Sequence, residues 1–293
     1  MNFNEQMTEK VAVIEEILKA YMPKEEGPQK LIMEAMNYSV TVGGKRLRPM
    51  LMQETYRLFG GEGDAVEPFM AAQEMIHTYS LVHDDLPAMD NDEYRRGKKT
   101  TWVAYGEDMA ILAGDGLLNY AFETALKAFG KADAMKVAEC LKILAGKAGI
   151  YGMIGGQVQD LALEGKTATL EELQEMVGLK TGALLRAACE GGALLAGAGE
   201  EQLQAARNYA DCIGLAFQIQ DDILDVTGDQ AVLGKAIGSD ANNQKTTFVS
   251  VYGLETCRGM VRNLTQQALA ASDVFADGEF LKELALYLAQ RNH

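Results

Sequence analysis

Two short runs gather carboxylates at spacings that could hold a cation. They are His83-Asp84-Asp85-Leu86-Pro87-Ala88-Met89-Asp90 and Gln220-Asp221-Asp222-Ile223-Leu224-Asp225. An Asp-Asp pair set among apolar residues is costly to bury unless a cation or partner compensates it. In the second run, Asp221 and Asp225 stand four apart and share one helix face with Gln218, one turn earlier. Ile219, Ile223, Leu224 and Val226 leave the rest of that helix apolar. In the first run, Pro87 is expected to disturb the helix just after Asp85, so that the chain curves and brings Asp90 back towards Asp84. Oxygen-only ligands of this kind suit Mg²⁺, which accepts one or two carboxylates and completes its shell with water and phosphate oxygens. A single Asp-Asp pair is more often a solvated face or a cap. Two of them in apolar surroundings favour the metal reading.

Cations follow the same logic. Gly43-Gly44-Lys45-Arg46-Leu47-Arg48-Pro49 sets flexible backbone beside three positive groups. It lacks the spacing of a P-loop, and so does Gly234-Lys235, which Ala236 follows. Lys45 and Arg48 nevertheless suit a diphosphate, since arginine can bond phosphate oxygens in pairs. Arg95-Arg96-Gly97 comes directly after the first aspartate run. His77 lies two helical turns before Asp84 on the same face. Alone, each basic run would be read as solvated surface; beside two metal-type clusters, they read as an anion site.

The elements that must position these groups are helices. All five prolines fall within the first 87 residues, so long helices are permitted through the rest of the chain. Met7, Val11, Ile14, Leu18 and Tyr21 form one apolar helical face over 5–21. The pattern predicts further helices over 67–86, 107–129, 132–152, 169–190 and 200–227. Thr169, three residues before Glu172, has the form of a capping box. No sustained period-two run appears, and no linker or composition shift marks a boundary. The expectation is one all-α domain over 1–293. With 293 residues, 48% of them hydrophobic, a large core can form. The net charge of −15 argues against nucleic acid as a partner. No stretch is apolar enough to span a membrane and no secretory signal is visible. Four scattered cysteines without a C-x-x-C pair suggest thiols in a reducing cytoplasm.

Taken in order, these motifs resemble the trans-polyprenyl diphosphate synthase family, and within it the bacterial short-chain farnesyl diphosphate synthases. The resemblance runs from about residue 25 to the C-terminus. It rests on GGKRLRP (43–49), EMIHTYSLVHDDLPAMDNDEYRRG (74–97), GQVQDL (156–161), KTGALL (180–185), FQIQDDILD (217–225), LGK (233–235), GSD (238–240) and KTTFVS (245–250). It implies a helical bundle around a deep central cavity, usually as a homodimer. It implies three Mg²⁺ ions bridging an allylic diphosphate to Asp84 and Asp90 on one wall and Asp221 on the other. Lys45, Arg48, His77 and Arg96 match the isopentenyl diphosphate site. Arg95, Lys180 and Lys235 match the groups that hold the allylic diphosphate, with Lys245 a weaker match. Thr181 and Gln218, beside Lys180, match groups that face the developing carbocation.

Tyr79 precedes Asp84 by five residues, which places it roughly 7–8 Å deeper along a helix. In the resembling family a large aromatic there goes with C15 products. A C10 or C20 product is the alternative within the same chemistry. A terpene cyclase would not need GGKRLRP and His77 for a second diphosphate. A silent regulatory subunit would be expected to lose an aspartate motif. The sequence departs from the family pattern after Arg96-Gly97, where Lys98-Lys99-Thr100-Thr101-Trp102 stands, and at Asn91 and 242–248. These departures leave the principal metal ligands intact.

Overall fold

The computed structural model describes residues 2–228 and 246–291. The described chain is almost wholly helical, as expected for an all-α protein, with one two-residue-per-strand hairpin. Its residues divide into two compact units. The first comprises Met1–Gln53 and Glu62–Leu141; the second comprises Glu54–Gly61 and Lys142–His293.

The first unit is built from α1 (Phe3–Tyr21), α2 (Lys30–Thr41), the start of α3 (Leu47–Leu58), α4 (Glu67–Asp84), β1 (Tyr94–Arg95), β2 (Lys98–Lys99), α5 (Thr101–Tyr105), α6 (Glu107–Ala125) and the start of α7 (Ala134–Ala148). α1 opens with a capping box in which Asn2 and Glu5 satisfy each other's backbone N–H. α4 is the central element. Pro68 sits in its first turn, where a missing N–H costs nothing. Phe69, Met70, Ala71, Ala72, Met75 and Ile76 are all fully buried, so the helix is covered nearly all round. α6 is its main neighbour. Gly114 makes that approach possible, because a Cβ there would lie 2.1 Å from His83 Nε2.

The second unit holds α8 (Met153–Leu163), α9 (Leu170–Val177), a π-helical turn over Gly178–Gly182, α10 (Ala183–Ala196), α11 (Glu200–Thr227), α12 (Phe248–Tyr252), α13 (Leu254–Ser272) and α14 (Glu279–Gln290). α11 is its axis and packs chiefly on α13 and α10. Tyr209, fully buried on α11, donates its hydroxyl to the Leu281 carbonyl at 2.7 Å, which ties α11 to α14.

The boundaries expected from periodicity hold for 200–227 and to within a few residues elsewhere. The helix expected over 169–190 differs. It starts where the capping box of Thr169 and Glu172 places it, but is interrupted by the π turn and then runs on to Ala196. The reason is a close crossing: a Cβ on Gly156 would lie 2.2 Å from the Lys180 backbone nitrogen. The hairpin also escaped notice, because strands of two residues carry no periodicity.

Candidate active site

In the first unit the site grows from the C-terminal end of α4. Asp84 is its last helical residue. Pro87 prevents the helix from continuing, and the backbone folds back: the Asp90 N–H donates to the Asp84 carbonyl at 2.8 Å and the Asn91 N–H to Leu86 at 3.1 Å. The predicted return of Asp90 to Asp84 is therefore made by the main chain. Asp85 has a different use. It is buried and accepts from Arg95 Nε at 2.7 Å, with Arg95 Nη2 at 2.7 Å from the same oxygen. Burial raises the Asp85 pKa, while Arg95 opposes that shift. Burial also works against the charge of Arg95, yet Asp85, Asp92 and Asp84 hold its pKa above the usual value.

The glycine pair of GGKRLRP has a specific purpose. Arg96, in the left-handed region at φ 53°, donates Nη1 to the Gly43 carbonyl. A Cβ on Gly44 would lie 2.6 Å from that same nitrogen. The three cations of the motif then diverge. Arg46 is buried and structural, at 2.7 Å from both Glu15 and Glu74. Lys45 is exposed. Arg48 has its pKa pushed down to about 10 by burial, with Arg96 adding to the shift, and its Nε has no partner. His77 is held well below its ordinary pKa, first by burial and then by Arg48, Arg96, Arg95 and Arg46. Burial, with Arg96 acting on Arg48 and with Arg46 and Arg95 acting on Arg96, leaves beside a neutral imidazole two arginines whose charge an anion would favour.

In the second unit the π turn carries Lys180 and Thr181. With Gln218 they line a cleft of about 120 Å³ that also touches Asp160, Asp222 and Phe248. Thr181 and Gln218, expected to face the reacting carbons, thus line one cleft with Lys180, expected to hold the allylic diphosphate. Two have partners that sequence reasoning missed. Lys180 forms an ion pair with Asp160, and Gln218 Nε2 donates to Asp222 Oδ1 at 3.2 Å. Asp222 accepts the Phe248 N–H at 2.8 Å with its other oxygen, fastening the start of α12 to α11. Asp221 keeps a side chain about 38% exposed and pairs with Arg291. Asp160 was within reach of the sequence as the acid of GQVQDL; nothing in the sequence pointed to Arg291. Lys235 and Lys245 lie outside the described residues.

Among the described residues, no three His, Cys, Asp or Glu side chains gather into a metal site of their own. Within the first unit Asp84 and Asp90, and within the second Asp221, each fit the Mg²⁺ mode in which one or two carboxylates are joined by phosphate oxygens. No described helix is long and apolar enough to cross a membrane.

Comparison with known proteins gives a consistent result. Residues 29–284 match the family model described as polyprenyl synthetase. A geranylgeranyl diphosphate synthase of Cyanophora paradoxa is 44% identical over 270 residues, covering 91% of this chain and 89% of the relative. A farnesyl diphosphate synthase of Geobacillus stearothermophilus is 42% identical over 291 residues, covering 98% and 97%. The crystal structure of a geranyltransferase from Legionella pneumophila superposes with a TM-score of 0.87 at 32% identity, covering 99% of this chain and 97% of that one.

Proposed function

Because the chain belongs to the polyprenyl synthetase family and is a prenyltransferase, we propose that it condenses isopentenyl diphosphate with dimethylallyl or geranyl diphosphate to give (2E,6E)-farnesyl diphosphate and diphosphate. The whole chain acts as one synthase domain in the cytoplasm, as a homodimer. In support of a second copy, Ile154, Val158 and Leu161 form an exposed apolar stripe along α8, continued by Ile150 and Tyr151.

Arg48, Arg96, His77 and Lys45 receive the diphosphate of isopentenyl diphosphate; the repulsion that Arg96 exerts on Arg48 falls when the anion enters. Arg95, Lys180 and Lys235 take the allylic diphosphate. Asp84 and Asp90 would hold Mg²⁺, as would Asp221 on α11, and the bound metal would supply the neutralisation that makes this diphosphate a good leaving group. Thr181 and Gln218 present oxygens to the carbocation left behind, and the apolar walls keep water from it. The released diphosphate accepts the final proton.

The observation that carries the C15 assignment is Tyr79. It is buried on α4, with its ring edge-on to His83 at 5.8 Å between centroids, and its hydroxyl has no partner. Burial, and then Asp84, raises its pKa to about 12, so it stays a neutral, bulky floor. A C20 product is the second reading, favoured by the geranylgeranyl diphosphate synthase among the relatives. Sizing the products of the wild-type protein and of Tyr79→Ala decides between them. Wild type should stop at C15, and the alanine variant should extend to C20 and beyond. Chains of C20 from the wild type, or unchanged length in an active Tyr79→Ala protein, would refute the floor.

A further inference from the structure

Arg291, the last described residue, lies beyond the end of α14 yet is nearly inaccessible, with a side chain only 4% exposed. Its guanidinium carbon sits 3.8 Å from the centroid of the Phe217 ring, a cation–π stack. Nη2 donates to the Phe217 carbonyl at 3.0 Å and to Asp221 Oδ1. The Arg291 carbonyl accepts from Gln220 Nε2 at 3.2 Å. The residue is thus clamped from three sides by one turn of α11, and what it presents to Asp221 is a single N–H rather than the full fork. Arginine usually engages a carboxylate with two N–H groups when the ion pair itself is the purpose. Pairing by one prong on one oxygen instead fixes the side-chain rotamer of a carboxylate that is still open to solvent.

The geometry points to Arg291 as a positioning residue for Asp221, the outer partner that orients this carboxylate for the divalent cation. This rests on the metal reading proposed above. Carboxylates that bind metals are commonly oriented by a second hydrogen-bonding group, whose loss weakens metal affinity about 10–100-fold. The cost of burying a guanidinium is offset here by the ring of Phe217 and by two acceptors. A residue 70 positions beyond Asp221 in sequence therefore supports an aspartate that the motif alone would leave to α11.

The test is Mn²⁺ binding, followed by electron paramagnetic resonance on the full-length protein in the presence of inorganic diphosphate. Arg291→Met keeps the packing on Phe217 and removes the donor; Arg291→Lys keeps a single positive donor. The methionine variant should bind Mn²⁺ about 10-fold more weakly or worse, and the lysine variant should recover most of that loss. Should the methionine variant fail to fold by circular dichroism, Arg291→Gln takes its place. Equal affinity in wild type and the charge-free variant would overturn the proposal. So would tighter binding in the variant, which would make Arg291 a competitor of the metal, or equal losses in the methionine and lysine variants, which would show a packing role only. If wild type itself binds no Mn²⁺ with diphosphate, the metal reading fails together with this one.

Discussion

The two aspartate clusters share a pattern of residues but are held in opposite ways. The first sits on a loop that closes on itself. Asp90 returns to Asp84 through a backbone hydrogen bond, and the partner of Asp85 is Arg95, only ten residues on. The second lies along the 28-residue helix α11; Gln218 on the same helix bonds Asp222, and further partners come from far away in sequence. Asp222 is fixed by the Phe248 N–H, 26 residues on, and Asp221 by Arg291, 70 residues on. In both clusters the middle aspartate is committed to structure. The difference is that Asp85 is paired from within its own segment, whereas Asp222 and Asp221 also bond Phe248 at the start of α12 and Arg291 beyond the end of α14.

The largest effects are expected at Asp84 and Asp221. Asp84→Ala and Asp221→Ala should each lower turnover by about 10³-fold or more, on the order of 4 kcal/mol in the barrier, while circular dichroism stays unchanged. Steady-state prenyl transfer measures this, and near-normal turnover in either variant would remove that cluster from the site. The middle aspartates should behave differently. Asp85→Ala leaves Arg95 without its main partner and should cost about 2 kcal/mol of stability. Asp222→Ala leaves the first N–H of α12 without its acceptor and should cost about 1 kcal/mol. Denaturant unfolding would show both, and an unchanged midpoint for Asp85→Ala would mean that the Arg95 pair contributes nothing.

Arg48→Ala should raise the KM for isopentenyl diphosphate by about 10-fold or more and that for geranyl diphosphate far less. Equal effects on both would show that the two diphosphate sites were assigned the wrong way round. The smallest effect concerns His77. Its folded pKa is depressed, so the unfolded chain binds the proton more readily. The neutral burial of His77 is therefore stabilising relative to unfolding above about pH 6.5, and that contribution is lost as pH falls below it. Without ligand, wild type should lose more stability than His77→Gln between pH 8 and pH 5. Parallel curves would mean that His77 is not buried in its neutral form.

How much could be read in the sequence follows the same division. Local features were legible: the proline distribution permitted the long helices, Thr169 and Glu172 marked the start of α9, and Pro87 implied the return of Asp90. Lys180, Thr181 and Gln218 of the second unit's cleft were also named from motifs. What stayed hidden depends on tertiary contact. The π turn exists because α8 crosses against the backbone of Lys180, and neither Gly178 nor Gly182 announces an extra residue. Gly44 looked like general flexibility, but it serves one arginine 52 positions away in sequence. Arg291 and Phe248, which bond Asp221 and Asp222, lie too far along the chain for any spacing rule to connect them.

Under the proposed function, the two clusters and the cations beside them join two diphosphates with the help of a divalent metal. Purified protein incubated with labelled isopentenyl diphosphate, geranyl diphosphate and Mg²⁺ tests it directly, with the products resolved by chain length and a parallel sample in excess chelator. The account predicts one dominant C15 product with Mg²⁺ and none with chelator. Product formation that persists in chelator, or no condensation with Mg²⁺ present, would contradict it.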